Sequence, residues 1–180
     1  FKDYSTAFEI VQQHLRAGDT YLVNLTFPTE IKINLSLEEI FFRSSAKYKL
    51  YFKDKFVVFS PETFIKIRNS KIFTFPMKGT INAAIENAEQ IILADHKETA
   101  EHITIVDLLR NDLNKVAKNI RVKRFRYIDK IKTYNSEILQ VSSEIIGDLE
   151  NDYHKRLGDI LAALLPAGSV TGAPKKSTVE

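Results

Sequence analysis

The run Lys71-Ile72-Phe73-Thr74-Phe75-Pro76-Met77-Lys78-Gly79-Thr80 sits where the chain changes its period. Residues 71–75 are β-branched and aromatic and read as a strand. Proline removes a backbone donor and is expected to stop that strand. Gly79 lets a ligand approach the backbone closely. Lys78 is therefore expected at a strand exit, beside accessible backbone. A lysine in a desolvated setting is a candidate nucleophile. Taken alone, most lysines so placed are simply solvated.

On the N-terminal side, residues 48–52, 56–59 and 63–68 are short and rich in aromatic and β-branched residues. Asp54-Lys55, Ser60-Pro61 and Asn69-Ser70 punctuate them as turns, which predicts an antiparallel meander running into 71–75. Before it, Phe8, Ile10, Val11 and Leu15 predict an amphipathic helix ending at Ala17-Gly18. Residues 21–27 read as a buried strand stopped by Pro28. Ser36 with Glu39 three residues later is a capping box, so 35–44 reads as a short helix presenting Leu37, Ile40 and Phe41.

Beyond Thr80 the period becomes helical over 87–94 and 97–116. It returns to strand over 120–125 and 137–146, and closes with a helix over 153–165. Strands and helices in mixed order with antiparallel turns predict an α+β fold, in one domain of 180 residues.

Composition narrows the function classes. A hydrophobic content of 44% and a charged content of 27% are those of a soluble globular chain. A formal net charge of +3 suits anionic small molecules. The chain has no cysteine, which excludes disulfides and thiolate metal sites. It shows neither a signal-peptide pattern nor a long uncharged apolar run, so the cytoplasm is the expected compartment. It lacks an initiator methionine, and 175–180 reads as a helix that starts and then stops. A fragment of a longer protein is expected.

Three clusters besides Lys78 could carry chemistry. Glu98 and Glu101, three residues apart on a predicted helix, share one face and could hold Mg²⁺ through oxygen. The plainer reading is a solvated face with a Lys97/Glu101 pair at i,i+4; His102 beside them is a weaker signal. Pro166-Ala167-Gly168-Ser169-Val170-Thr171-Gly172-Ala173-Pro174-Lys175 bridges two helices with glycines, hydroxyls and a lysine. Backbone N–H groups in such a turn suit a carboxylate, though a flexible loop would look similar. Glu62, in Ser60-Pro61-Glu62, is a turn carboxylate and uninformative alone. The basic run Lys115, Lys118, Arg121, Lys123, Arg124, Arg126, Lys130, Lys132 reads as a solvated face rather than a nucleic-acid footprint. Neither nucleic acid nor membrane is expected as a partner.

Taken in order, six stretches resemble the chorismate-utilising enzymes. They are Ala17-Gly18-Asp19-Thr20-Tyr21-Leu22-Val23-Asn24-Leu25-Thr26, Ser60-Pro61-Glu62, Pro76-Met77-Lys78-Gly79-Thr80, Lys97-Glu98-Thr99-Ala100-Glu101-His102, Val106-Asp107-Leu108-Leu109-Arg110-Asn111-Asp112-Leu113, and the 166–175 run. The resemblance implies that family's α+β fold, an antiparallel β-sandwich with flanking helices. Lysine before Gly79-Thr80 resembles the aminodeoxychorismate-forming branch of para-aminobenzoate and folate synthesis. Anthranilate-forming members usually carry alanine there. Isochorismate-forming members activate water with a lysine where Leu22 stands, so the nucleophile implied here is not water. Gln140 stands where many members have histidine.

The resemblance also implies site roles. Lys78 matches the covalent nucleophile and Glu62 the general acid. Glu98 and Glu101 match metal-site carboxylates for Mg²⁺. Gly79 and Thr80 match contacts to the ring carboxylate of chorismate. Gly168, Ser169, Thr171, Gly172 and Lys175 match the loop that holds the side-chain carboxylate. Ammonia is implied to come from a separate glutamine amidotransferase subunit.

Overall fold

The computed structural model describes residues 2–133 and 135–179, so Glu180 at the end of the predicted last helix lies outside it. The contacts divide the chain into two compact units: residues up to Leu25 together with those from Phe64 onward, and residues Thr26–Thr63. The sequence reads as one domain; the two units are taken separately.

In the first unit the predicted 137–146 strand becomes β8 (Glu137–Asp148), buried along most of its length. A strand buried on both faces needs neighbours on both edges. One edge takes β7 (Lys118–Lys132), and the other takes β5 (Lys71–Thr74) followed by β6 (Met77–Asn82). β4 (Lys66–Arg68) extends the sheet beyond β5. All the strand pairings among the described residues are antiparallel.

The strand does stop before Pro76, as the sequence reading has it: β5 ends at Thr74 and a new strand begins at Met77, yet the register carries on across the break. Thr74 lies opposite Ile145 and Met77 opposite Ser142, so β5 and β6 run along β8 without slipping a residue. The proline carbonyl still accepts the Ser143 N–H at 3.0 Å, which keeps the two strands in step across the missing donor. Lys78 therefore lies inside β6, opposite Val141, and not at a strand exit.

Helices α3 (Ala88–Ala94) and α4 (His96–Leu113) follow. Asp95 ends the first and caps the second, accepting the Glu98 N–H at 3.0 Å. α4 and α5 (Leu157–Leu164) join Ile72 of β5 and Ile145 of β8 in the core, through Ile105, Leu109, Leu113, Ile160 and Leu164. Each such side chain contributes about 1.5–3 kcal/mol when fully buried. The predicted 153–165 helix is broken: a short 3₁₀ turn, Tyr153–Lys155, precedes α5. β7 runs well past the predicted 120–125, and three register shifts let it bend along β8. Its basic run is met by acids: Lys123 pairs with Glu144 at 3.0 Å, Lys118 with Glu150 at 3.1 Å and Lys130 with Glu137 at 3.6 Å.

Helix α1 (Lys2–Ala17) closes as the sequence predicts, with Gly18 N–H on Leu15 O and Asp19 N–H on His14 O. The predicted 21–27 strand shrinks to β1 (Leu22–Val23), which pairs with β9 (Gly172–Ala173). Tyr21, Asn24, Thr26 and Phe27 are exposed. The apolar run is there, but its partner offers only two residues of ladder. Around β9 lie α6 (Gly168–Thr171) and α7 (Lys175–Val179).

In the second unit, α2 (Leu37–Arg43) carries the predicted capping box: Glu39 N–H on Ser36 Oγ at 3.2 Å, and Ser36 N–H on the Glu39 carboxylate at 2.9 Å. Leu37, Ile40 and Phe41 are its half-buried face. β2 (Tyr48–Phe52) and β3 (Phe56–Ser60) form a hairpin with each other. The predicted meander is thus two pairings, β2 with β3 and β4 with β5, rather than one continuous sheet. The α+β class holds. Among the described residues, no helix is long and apolar enough to cross a membrane.

Candidate functional site

Gly79 is a β-bulge. The register shifts between Lys78 and Thr80, and Gly79 has φ +80, a left-handed conformation that costs any other residue roughly 1–2 kcal/mol. The shift also changes faces. Lys78 shares the face of Val141, whereas Thr80 shares that of Gln140 and is exposed. Two residues apart on a regular strand, Lys78 and Thr80 would face the same way. The bulge sends their side chains to opposite faces and leaves only the intervening backbone common to both.

On the Lys78 face lies the first half of α4. Lys78 Nζ is 3.6 Å from Glu101 Oε2, with the two side chains 30% and 34% exposed. Lys97 reaches the other Glu101 oxygen at 3.9 Å. Glu98 is closer to the backbone: a Cβ on Gly79 would sit 3.4 Å from Glu98 Oε2 and 3.5 Å from Ile92. The structure thus brings Lys78, Gly79, Glu98 and Glu101 together. Among the described residues no group of three metal-ligating side chains forms. Two carboxylates on one helix face fit Mg²⁺, which keeps several waters and takes further oxygens from its substrate.

Behind this cluster is a residue the sequence reading set aside. His102 is fully buried, and its Nε2 is 2.7 Å from Ser143 Oγ, which also accepts the Arg126 N–H at 2.9 Å. Burial, with the nearby Arg126 charge adding to it, holds the His102 pKa down to about 4. His102 is a neutral strut between α4 and β8. Its contact with Ser143, 41 residues away, has no signal in the sequence.

The second half of α4 meets the 166–175 loop. Glu98, Glu101, Ile105, Leu108 and Asp112 repeat at three and four residues and lie along one stripe of the helix. A Cβ on Gly168 would sit 2.9 Å from Asp112 Oδ2 and 3.0 Å from Leu108. About 10 Å of helix axis, at 1.5 Å per residue, separates Glu101 from Leu108. The loop is also sewn to the β1 segment. Asn24 Nδ2 donates to Ser169 O and Val170 O at 3.0 and 2.9 Å, and the buried Thr20 hydroxyl donates to Ala173 O at 3.0 Å. Gly172, φ +130, has no room for a Cβ, which would collide with Leu22 O.

Several groups expected at a ligand are already engaged. The N–H groups of Val170, Thr171 and Gly172 close the turn of α6 onto Ala167 and Gly168. Thr171 Oγ1 donates to Ala167 O. Lys175 is turned inward: its Nζ donates to Leu164 O at 2.8 Å and lies 3.5 Å from Asp112. Glu62 lies in the second unit, half-buried in the turn after β3, where its N–H donates to Ser60 Oγ at 3.1 Å. A separate cleft of about 370 Å³, between the α4–β7 turn and α5, is lined by none of the predicted site residues.

A lysine and two carboxylates gather around a strand bulge in a mixed fold with antiparallel sheets. The chain belongs to the chorismate binding enzyme family, whose model matches residues 1–180. It is 56% identical to an uncharacterized PabA-like protein of Haemophilus influenzae over 100% of this chain and 55% of that one. It is 30% identical to aminodeoxychorismate synthase component 1 of Bacillus subtilis over 98% of this chain and 39% of that one. The crystal structure of anthranilate synthase component I from Streptococcus pneumoniae superposes with a TM-score of 0.71 at 25% identity, covering 97% of this chain and 40% of that one. The chain spans about half the length of the first curated relatives it matches.

Proposed function

We propose that this chain is the chorismate-handling core of an aminodeoxychorismate synthase component 1, working in the cytoplasm on ammonia from a glutamine amidotransferase subunit. The observation that carries the reading is Lys78, held at the Gly79 bulge 3.6 Å from Glu101.

In this reading the Lys78 amine, once it has lost its proton, forms a bond to ring C2. Both ring double bonds shift, C1=C2 to C1=C6 and C5=C6 to C4=C5, as the C4–O bond breaks. Glu62 protonates the departing hydroxyl, which leaves as water. Ammonia then bonds to C4, both double bonds shift back, and the C2–N bond to Lys78 breaks, the departing lysine nitrogen taking up a proton that the new C4 ammonium releases. One difficult displacement becomes two easier ones. Glu98 and Glu101 would hold Mg²⁺, which supplies positive charge to the substrate carboxylate. The Gly79 backbone orients the ring carboxylate; the Thr80 side chain, expected beside it, lies on the opposite face of the sheet from Lys78 and is left out of this seat. Gly168, Ser169, Thr171, Gly172 and Lys175 shape the seat of the side-chain carboxylate.

The test is product identity. Full-length protein given chorismate, Mg²⁺ and ammonium should release 4-amino-4-deoxychorismate. An adduct on the peptide containing Lys78 should be trapped by intact mass spectrometry with a slow substrate. The likeness to anthranilate synthase component I supports a second reading, and anthranilate as the main product would establish it instead. Neither product and no adduct would leave a non-catalytic chorismate binder.

A further inference from the structure

We propose that Asp112 is a positioning residue for the 166–175 loop, acting through Lys175 and Gly168. The proposal rests on the reading that this loop seats a substrate carboxylate. The Asp112 side chain is only 7% exposed, yet it meets two cations, Lys115 at 2.7 Å and Lys175 at 3.5 Å. Lys175 is itself 16% exposed and gives a hydrogen bond to the last residue of α5, Leu164. Gly168 backs onto the carboxylate so closely that a Cβ there would force a shift. A single side chain therefore touches the start of the loop at Gly168 and its end at Lys175. It also ties both to the stripe of α4 that carries Glu98 and Glu101.

The charge logic separates this role from the one suggested by sequence. A lysine that receives a substrate carboxylate gains from being free of other anions. Lys175 instead is neutralised by Asp112 and fixed by a carbonyl. Its contribution is to hold the loop's shape, so that the groups between Gly168 and Lys175 keep their spacing. Neutralising Asp112 leaves the largely buried Lys175 cation without its anion, whereas the half-exposed Lys115 can turn to solvent.

The experiment uses full-length protein and compares Asp112→Asn, Asp112→Glu and Lys115→Met. Chorismate affinity is measured by equilibrium dialysis, independently of any product, and kcat and KM are measured wherever turnover occurs. Asp112→Asn should weaken chorismate binding and raise KM at least tenfold, with kcat within threefold of wild type, and Asp112→Glu, which keeps the charge, should recover part of the affinity. Lys115→Met, which leaves the Asp112–Lys175 contact in place, should bind within threefold of wild type. An unchanged affinity in Asp112→Asn would overturn the proposal. So would a Lys115→Met variant as weak as Asp112→Asn, because that assigns the effect to the Lys115 pair and not to the loop. Failure of the amination reading shows in the product and leaves the dialysis result standing.

Discussion

The two ends of α4 carry the same chemistry in opposite circumstances. At the N-terminal end, Glu98 and Glu101 are partly open, and the ion pairs there are long, 3.6 and 3.9 Å. At the C-terminal end Asp112 is buried and bonded at 2.7 Å to Lys115, which lies on the turn that follows. One stripe of one helix thus holds carboxylates that remain available and a carboxylate that is spent on architecture. Burial, not residue type, makes the difference. An exposed pair is worth at most about 1 kcal/mol and can be exchanged for a ligand, whereas a buried one cannot be broken cheaply.

The sharpest way to break the comparison is Lys78→Ala. If the open end does the chemistry, amination of chorismate falls on the order of 10²–10⁴-fold, as when a group acting directly in a transition state is lost. The midpoint of urea unfolding should stay within about 0.5 kcal/mol of wild type, as for a partly exposed pair. A large loss of stability would move Lys78 to the architectural side.

Gly172→Ala tests the closed end. The added methyl collides with Leu22 O at a positive φ, so unfolding free energy should drop by about 3 kcal/mol. A drop under 1 kcal/mol would mean that the loop adapts freely.

The middle of the helix has its own signature in His102. The unfolded chain takes up a proton there near pH 6.5, whereas the folded protein resists it until about pH 4. Its stabilising preference for the neutral ring is fully present above pH 6.5. It is lost progressively as the pH falls from 6.5 to 4, amounting to about 3 kcal/mol at most. Urea titrations of wild type and His102→Gln across that range should diverge in slope; parallel curves would show that His102 is not the group responsible. The smallest effect is expected for Lys97→Ala, whose side chain is 82% exposed: under about 0.5 kcal/mol in stability, and weaker still in high salt.

What could be read in advance follows the range of the forces involved. The Ser36–Glu39 capping box, the close of α1 and the strand over 137–146 are local patterns, and they appear as expected, though β8 is buried on both faces. The joint presence of Lys78, Gly79, Glu98 and Glu101 was implied by the family resemblance alone, because a glycine beside a lysine and two glutamates on one helix face do not by themselves bring strand and helix together. Three features were not legible. The shortness of β1 depends on a partner 150 residues away that is two residues long. The separation of Lys78 from Thr80 depends on the register against β8. The commitment of Lys175 depends on Asp112 and Leu164, neither near it in sequence. Propensity says nothing about such long-range partners.

The unbroken step of β5 and β6 along β8 also constrains how this chain can change in length. Residues 71–78 work as a ruler laid against 141–148. Deleting Pro76, or inserting one residue beside it, would rotate everything downstream by one position. That would turn the Lys78 side chain to the opposite face of the sheet, away from Glu101. Functional variants of this sequence should therefore gain or lose residues before Lys71 or after Asn82, and should keep the interval between Ile72 and Lys78 constant even where its residues differ.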